Sequence, residues 1–134
     1  MSQPLALIVD DEPDIRELLE ITLGRMNVAT RSAADLAEAR GWLEHGGFDL
    51  CLTDMRLPDG DGIELVELIN ARLPELPVAV ITAHGNMEAA IQAMKAGAFD
   101  FVSKPVDLQV LRGLVETALK LSERAPPRPS ERTA

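Results

Sequence analysis

A doubly wound α/β fold, with about five parallel strands and about five helices, is what this sequence predicts. Two observations carry it. Short apolar runs alternate along the chain with segments of helical period. The first run is continuous rather than alternating, the pattern of a strand covered on both faces, and that burial requires βαβ crossovers with helices on either side of the sheet. The length, 134 residues, suits one domain.

The elements follow in order. Leu5-Ala6-Leu7-Ile8-Val9 reads as the first strand. Pro13 opens a helix where its missing N–H costs nothing, and Ile15, Leu18, Leu19, Thr22, Leu23 and Met26 share one helical face. A short strand is expected near residues 27–30. Ser32-Ala33-Ala34-Asp35 resembles a helix start with Asp in place of the usual Glu or Gln. Leu36, Ala39 and Leu43 continue that face, and Gly46-Gly47 stops it. Leu50-Cys51-Leu52-Thr53 is the third strand. A turn-rich loop, Leu57-Pro58-Asp59-Gly60-Asp61-Gly62, follows. Ile63, Val66, Ile69 and Leu73 mark a helix ended by Pro74, and Val78-Ala79-Val80-Ile81 a β-branched strand. Met87, Ala90, Ile91 and Met94 mark the fourth helix, closed by Gly97, and residues 99–102 the last strand. Asp107 is the expected N-cap for Leu108, Leu111, Val115, Ala118 and Leu119. Residues 125–134 carry three prolines and no apolar period, and are expected to be a linker or tail after a domain of residues 1–124.

Composition narrows the function. Hydrophobic residues are 46% and charged residues 26%, a globular balance. With 3 Phe, 1 Trp and no Tyr, aliphatic side chains must fill the core. A net charge of −9 argues against direct nucleic-acid binding and against an anionic membrane surface. The single cysteine, Cys51, cannot form an internal disulfide. No apolar run approaches the roughly 20 residues that span a bilayer, and no signal-peptide pattern opens the chain, so the expected location is the cytoplasm.

In parallel α/β sheets, sites lie beyond the carboxyl ends of the strands. Asp10 and Asp11 stand there after the first strand, Asp54 after the third, Thr82 and Ala83 after the fourth, and Ser103, Lys104 and Pro105 after the fifth. Three carboxylates brought together repel unless one protonates or a cation intervenes. Oxygen ligands of this kind suit Mg²⁺, and no His/Cys cluster offers a zinc site. Lys104 and Thr82 supply donors for a phosphoryl group. A carboxylate nucleophile, a divalent ion, an ammonium and a hydroxyl make a phosphoryl-transfer set.

These stretches resemble the receiver (response-regulator) domain of bacterial two-component systems. The matching segments are Leu7-Ile8-Val9-Asp10-Asp11-Glu12, Thr53-Asp54-Met55-Arg56-Leu57-Pro58-Asp59-Gly60-Asp61-Gly62, Ile81-Thr82-Ala83 and Lys104-Pro105. They stand in family order and spacing over residues 5–124. Ala96-Gly97-Ala98-Phe99-Asp100-Phe101 is similar to receivers of σ54-dependent activators of the nitrogen-regulator type. The opening stretch and residues 50–60 are most similar to the type IV pilus regulators of that group.

The resemblance implies a flavodoxin-like sheet of order 2-1-3-4-5. It makes Asp54 the phosphoacceptor, and gives Mg²⁺ to Asp10, Asp11, Asp54 and the backbone carbonyl of Arg56. It makes Lys104 the phosphate-binding lysine, Thr82 and Phe101 the switch pair, and Pro105 a proline after a cis peptide. Arg56 and His84, two residues after the acceptor and after the switch Thr, become tuning positions. The implied partners are a sensor histidine kinase and a second copy through the fourth helix, fifth strand and fifth helix. An AAA+ and a DNA-binding region would follow the linker, although no P-loop or basic recognition helix is present here. The implied role is a signalling switch that catalyses only its own phosphoryl transfer and dephosphorylation.

Plainer readings compete. Asp10 and Asp11 could be solvated acids favoured by a helix dipole. Lys104 could be a surface lysine and Phe101 a core aromatic. Cys51 reads as an inert buried residue, His45 and His84 as surface, Trp42 as partial core, and the methionines as helical core filler. Two other functions stay open. A haloacid-dehalogenase-type phosphohydrolase also uses an Asp nucleophile, but needs a second acid where this chain has Arg56. A pseudo-receiver would keep the fold as a docking module without phosphorylation.

Overall fold

The structure, a computed structural model, describes residues 3–83 and 85–124. The linker reading of residues 125–134 and the tuning role of His84 lie outside the described residues.

Five parallel strands form one sheet: β1 (Leu5–Val9), β2 (Ala29–Ala33), β3 (Leu50–Asp54), β4 (Val78–Thr82) and β5 (Asp100–Ser103). Their order is β2-β1-β3-β4-β5, as expected. The chain therefore winds outward from β1 in both directions, and the reversal lies between β1 and β3. All four pairings are parallel, with Val9 opposite Thr53, Asp54 opposite Ile81 and Thr82 opposite Ser103. That register levels the carboxyl ends of β1, β3, β4 and β5.

Among the described residues, five helices cover the sheet: α1 (Pro13–Arg25), α2 (Leu36–His45), α3 (Gly62–Arg72), α4 (Met87–Ala96) and α5 (Leu108–Arg124). The alternation of side chains along each strand divides the core in two. Leu7, Val9, Cys51, Val78 and Val80 pack on one side with Leu36, Leu43, Leu65, Val66, Ile69 and Ala93 of α2, α3 and α4. Ala6, Ile8, Leu50, Leu52, Ala79, Ile81 and Val102 pack on the other with Leu19, Leu23, Leu111, Leu114 and Val115 of α1 and α5. Residues 6–9 and 50–52 are wholly buried, which explains why their sequence is continuous rather than alternating.

Several expectations need correction. The second strand begins two residues later than expected. Asn27 takes a left-handed conformation (φ 64°), and the N–H of Val28 bonds back to Leu23 O, so these residues end α1 instead of starting β2. Ser32 does not open a helix; it lies in β2 with its hydroxyl on Glu20. Asp35 is the N-cap of α2, accepting from Glu38 N–H. The capping box falls one helix later, where Asp61 and Glu64 bond each other's backbone N–H at the start of α3. Within the turn-rich loop, Arg56–Leu57 and Gly60–Asp61 form a two-residue antiparallel hairpin.

The buried face of α4 meets the expected one only at Ala90. Ala90 and Ala93 face the core, while Met87, Ile91 and Met94 are exposed. Small residues let α4 lie close to the sheet. Methionine is therefore not core filler there; only Met55 is buried among the described methionines. Trp42 is half-buried, donating its indole N–H to Ser32 O, and His45 is exposed.

Candidate functional site

The site is built on strand ends. Asp10 and Asp11 follow β1, Asp54 closes β3, Thr82 closes β4 and Lys104 follows β5. Short ties fix each one. Asp10 N–H bonds Ala33 O and its own carbonyl accepts from Arg16 Nη1 (2.7 Å). Lys104 N–H bonds Thr82 O (2.8 Å), and the Lys104–Pro105 peptide is cis. Met55 N–H donates to Asp54 Oδ1 (2.8 Å), orienting the carboxylate and leaving Oδ2 toward Lys104.

Gly62 presses against this strand end. A Cβ at Gly62 would overlap the backbone carbonyl of Asp54, so only glycine lets α3 start so close to it. The N–H of Gly62 bonds Met55 O (2.8 Å), closing the loop that follows Asp54.

The Lys104 ammonium sits among carboxylates. Nζ lies 2.7 Å from Glu12 Oε1, 3.3 Å from Asp54 Oδ2 and 3.5 Å from Asp10 Oδ2. Burial alone would weaken its charge, but the Glu12 hydrogen bond and the charges of Asp10 and Asp54 outweigh that and hold its pKa above the usual lysine value. Asp10 is fully buried, and desolvation pushes its carboxyl up to about 6; the bond from Glu12 N–H opposes this and the nearby Asp54 charge adds to it. Cys51, deep in the sheet, has its thiol pushed up to about 12 by burial, which fits an inert residue.

Carboxylate oxygens of Asp10, Asp11, Glu12 and Asp54 all lie within 4.8 Å of one another. Asp10 Oδ2 is buried and accepts no hydrogen bond from the described residues, the Lys104 ammonium standing 3.5 Å away. Such an atom asks for a cation, and an all-oxygen donor set suits a hard divalent ion such as Mg²⁺. The residues present fit that ion.

An open cleft above the cluster is lined by Asp11, Glu12, Asp54, Arg56, Ala83 and Lys104, among others. Asp10, Asp11, Asp54 and Lys104 are thus brought to one place, and Arg56 reaches its rim. Thr82 is buried, one residue beyond Ile81, the register partner of Asp54. Phe101 is half-buried against the α2–α4 side of the core, opposite Val80. Sequence reasoning gave Glu12 no role, although it stands two residues after Asp10 at the same strand end.

Comparison with known proteins gives a consistent result. The family described as "Response regulator receiver domain" matches residues 6–116. The response regulator protein PilR of Pseudomonas aeruginosa is 65% identical over 130 residues, covering 94% of this chain and 29% of that protein. The DNA-binding transcriptional regulator NtrC of Escherichia coli K12 is 36% identical over 119 residues, covering 89% of this chain and 25% of that one. The solution structure of the beryllofluoride-activated NtrC4 receiver domain dimer superposes with a TM-score of 0.82 at 30% identity, covering 88% of this chain and 98% of that one. The chain spans less than a third of the length of the two curated regulators.

Proposed function

From the premise that this chain belongs to the response regulator receiver domain family, we propose that it is a phosphorylation-dependent switch with Asp54 as its phosphoacceptor. One observation carries the proposal: the Lys104 ammonium lies 3.3 Å from Asp54 Oδ2, beside the carboxylate cluster that Asp54 forms with Asp10 and Asp11. A carboxylate poised between an ammonium and two acids, beside a buried Asp10 oxygen that accepts no hydrogen bond from the described residues, is arranged for a dianion and a cation together.

The donor in this reading is the phosphohistidine of a sensor histidine kinase. An Asp54 carboxylate oxygen attacks phosphorus, a P–O bond forms, the P–N bond breaks, and the imidazole leaves and takes up a proton. Asp10, Asp11 and Asp54, with the Arg56 carbonyl, would hold Mg²⁺, which when bound would supply positive charge against the phosphoryl oxygens. Lys104 neutralises a phosphoryl oxygen from the opposite strand end. Met55 N–H keeps Asp54 oriented throughout. Thr82 then bonds the phosphoryl group, and its movement makes room for the Phe101 ring, which biases a two-state equilibrium.

The output is transmitted through α4, β5 and α5 to a second copy and to a transcription-activator region of the σ54-dependent type. The exposed Met87, Ile91 and Met94 of α4 support that face. The receiver itself makes no nucleic-acid contact in this reading, consistent with its net charge of −9. None of the described helices is long and apolar enough to cross a membrane, and the proposed compartment is the cytoplasm.

Asp54→Ala tests the reading with acetyl phosphate and Mg²⁺. Stoichiometric acyl phosphate in the parent protein and none in the variant is the expected result. Equal incorporation in the variant would remove Asp54 from the role. No incorporation in either would leave the pseudo-receiver.

A further inference from the structure

The shortest contact of Lys104 is not with Asp54 but with Glu12, a residue outside the acid pair and the acceptor. Its Nζ is 2.7 Å from Glu12 Oε1, against 3.3 Å to Asp54 and 3.5 Å to Asp10. Glu12 is the N-cap residue of α1, yet its side chain makes no capping bond. Its carboxylate instead crosses from the β1 end to the β5 end of the cleft. Its side chain is 57% exposed, whereas that of Lys104 is 21% exposed, so the pair lies at the mouth where a phosphoryl group must enter.

We infer that Glu12 is a positioning residue that holds the Lys104 ammonium at the cleft mouth in the unphosphorylated state and competes with the phosphoryl group for it. This rests on the switch reading above and deepens it. An ammonium offers three donors. In the resting site those face Glu12, Asp54 and Asp10. A phosphoryl oxygen on Asp54 has to take one of them, and the exposed Glu12 is the partner that can turn to water at least cost. Glu12 thereby sets how readily the site accepts and keeps its phosphoryl group, without touching the reacting atoms.

Two variants separate contact from charge. Glu12→Gln keeps the reach and loses the charge. Glu12→Asp keeps the charge and loses the reach, and Lys104 cannot follow without leaving Asp54 and Asp10. The measurement is the dissociation constant of beryllofluoride at saturating Mg²⁺, followed by amide resonances. Both variants are expected to bind about two- to five-fold more tightly than the parent, the scale of one half-exposed ion pair. In Mg²⁺-free buffer the Lys104 ammonium resonance should shift in both. Parent-like binding by Glu12→Asp would show that only the general negative charge matters and would overturn the inference, as would unchanged affinity in both. If the parent itself binds no beryllofluoride, the switch reading fails and this inference falls with it, a result distinct from either of those.

Discussion

Replacing Asp10 by Asn should stabilise the metal-free protein, and by an amount that depends on pH. Asp10 is fully buried, its Oδ2 accepts no hydrogen bond from the described residues, and its carboxyl is pushed up to about 6 from 3.8. A folded-state value above the unfolded one means that folding favours the protonated acid. The group therefore adds almost no penalty below about pH 3, and stability is lost as pH rises through about 4 to 6 and levels off above that. At 1.36 kcal/mol for each unit, the full penalty is about 3 kcal/mol above pH 7 and about 0.5 kcal/mol at pH 4. Asn keeps an oxygen for the Glu12 N–H and cannot ionise. Urea unfolding in EDTA should thus show the variant gaining on the parent by roughly 2.5 kcal/mol between pH 4 and pH 8. Adding Mg²⁺ should raise the stability of the parent and leave the variant nearly unchanged, because the ion binds the folded parent. A gap that stays constant with pH, or an Asn variant less stable at pH 8, would refute the account of Asp10 as a buried charge awaiting a cation.

Two further substitutions probe the frame around the site. Gly62→Ala should cost about 1–3 kcal/mol in urea unfolding despite the better helix propensity of Ala, because its methyl group meets the Asp54 carbonyl; it should also slow phosphoryl uptake, and a more stable variant would contradict the close approach. Asp59→Ala should lower the melting temperature at pH 7, since the Asp59 carboxylate accepts from Leu36 and Ala37 N–H at the start of α2. Those bonds hold the Asp59 carboxyl below its usual value, so its contribution is present at neutral pH and is lost as pH falls through that lowered value; a melting-temperature difference that persists unchanged in strong acid would refute it.

Strands β1, β3 and β4 were legible because burial on both faces leaves an unbroken apolar signature that other elements of this length do not share. The carboxyl-end rule then places Asp10, Asp11, Asp54, Thr82 and Lys104 at one edge. Helix α4 was misread because Met87, Ile91 and Met94 have the spacing of a core stripe, and hydrophobicity alone does not say which of two adjacent stripes meets the sheet. Of the expected stripe only Ala90 is buried, and Ala93 joins it. The edge strand β2 was placed early because Asn27 and Val28 are compatible with either a strand or the close of a helix, and only the bonds back to Leu23 and Gly24 choose between them.

The amino-acid order by itself settled the βα alternation, the acid, alcohol and amine at the strand ends, and the glycines of the turns, since each follows from local periodicity or from a single residue's chemistry. Tertiary structure alone decided that Lys104 rests on Glu12, that Gly62 abuts the Asp54 carbonyl, and that Asp59 caps a helix 22 to 23 residues upstream. Those pairings join segments far apart in the chain, and nothing in a linear pattern records a distance that only the packed layers create.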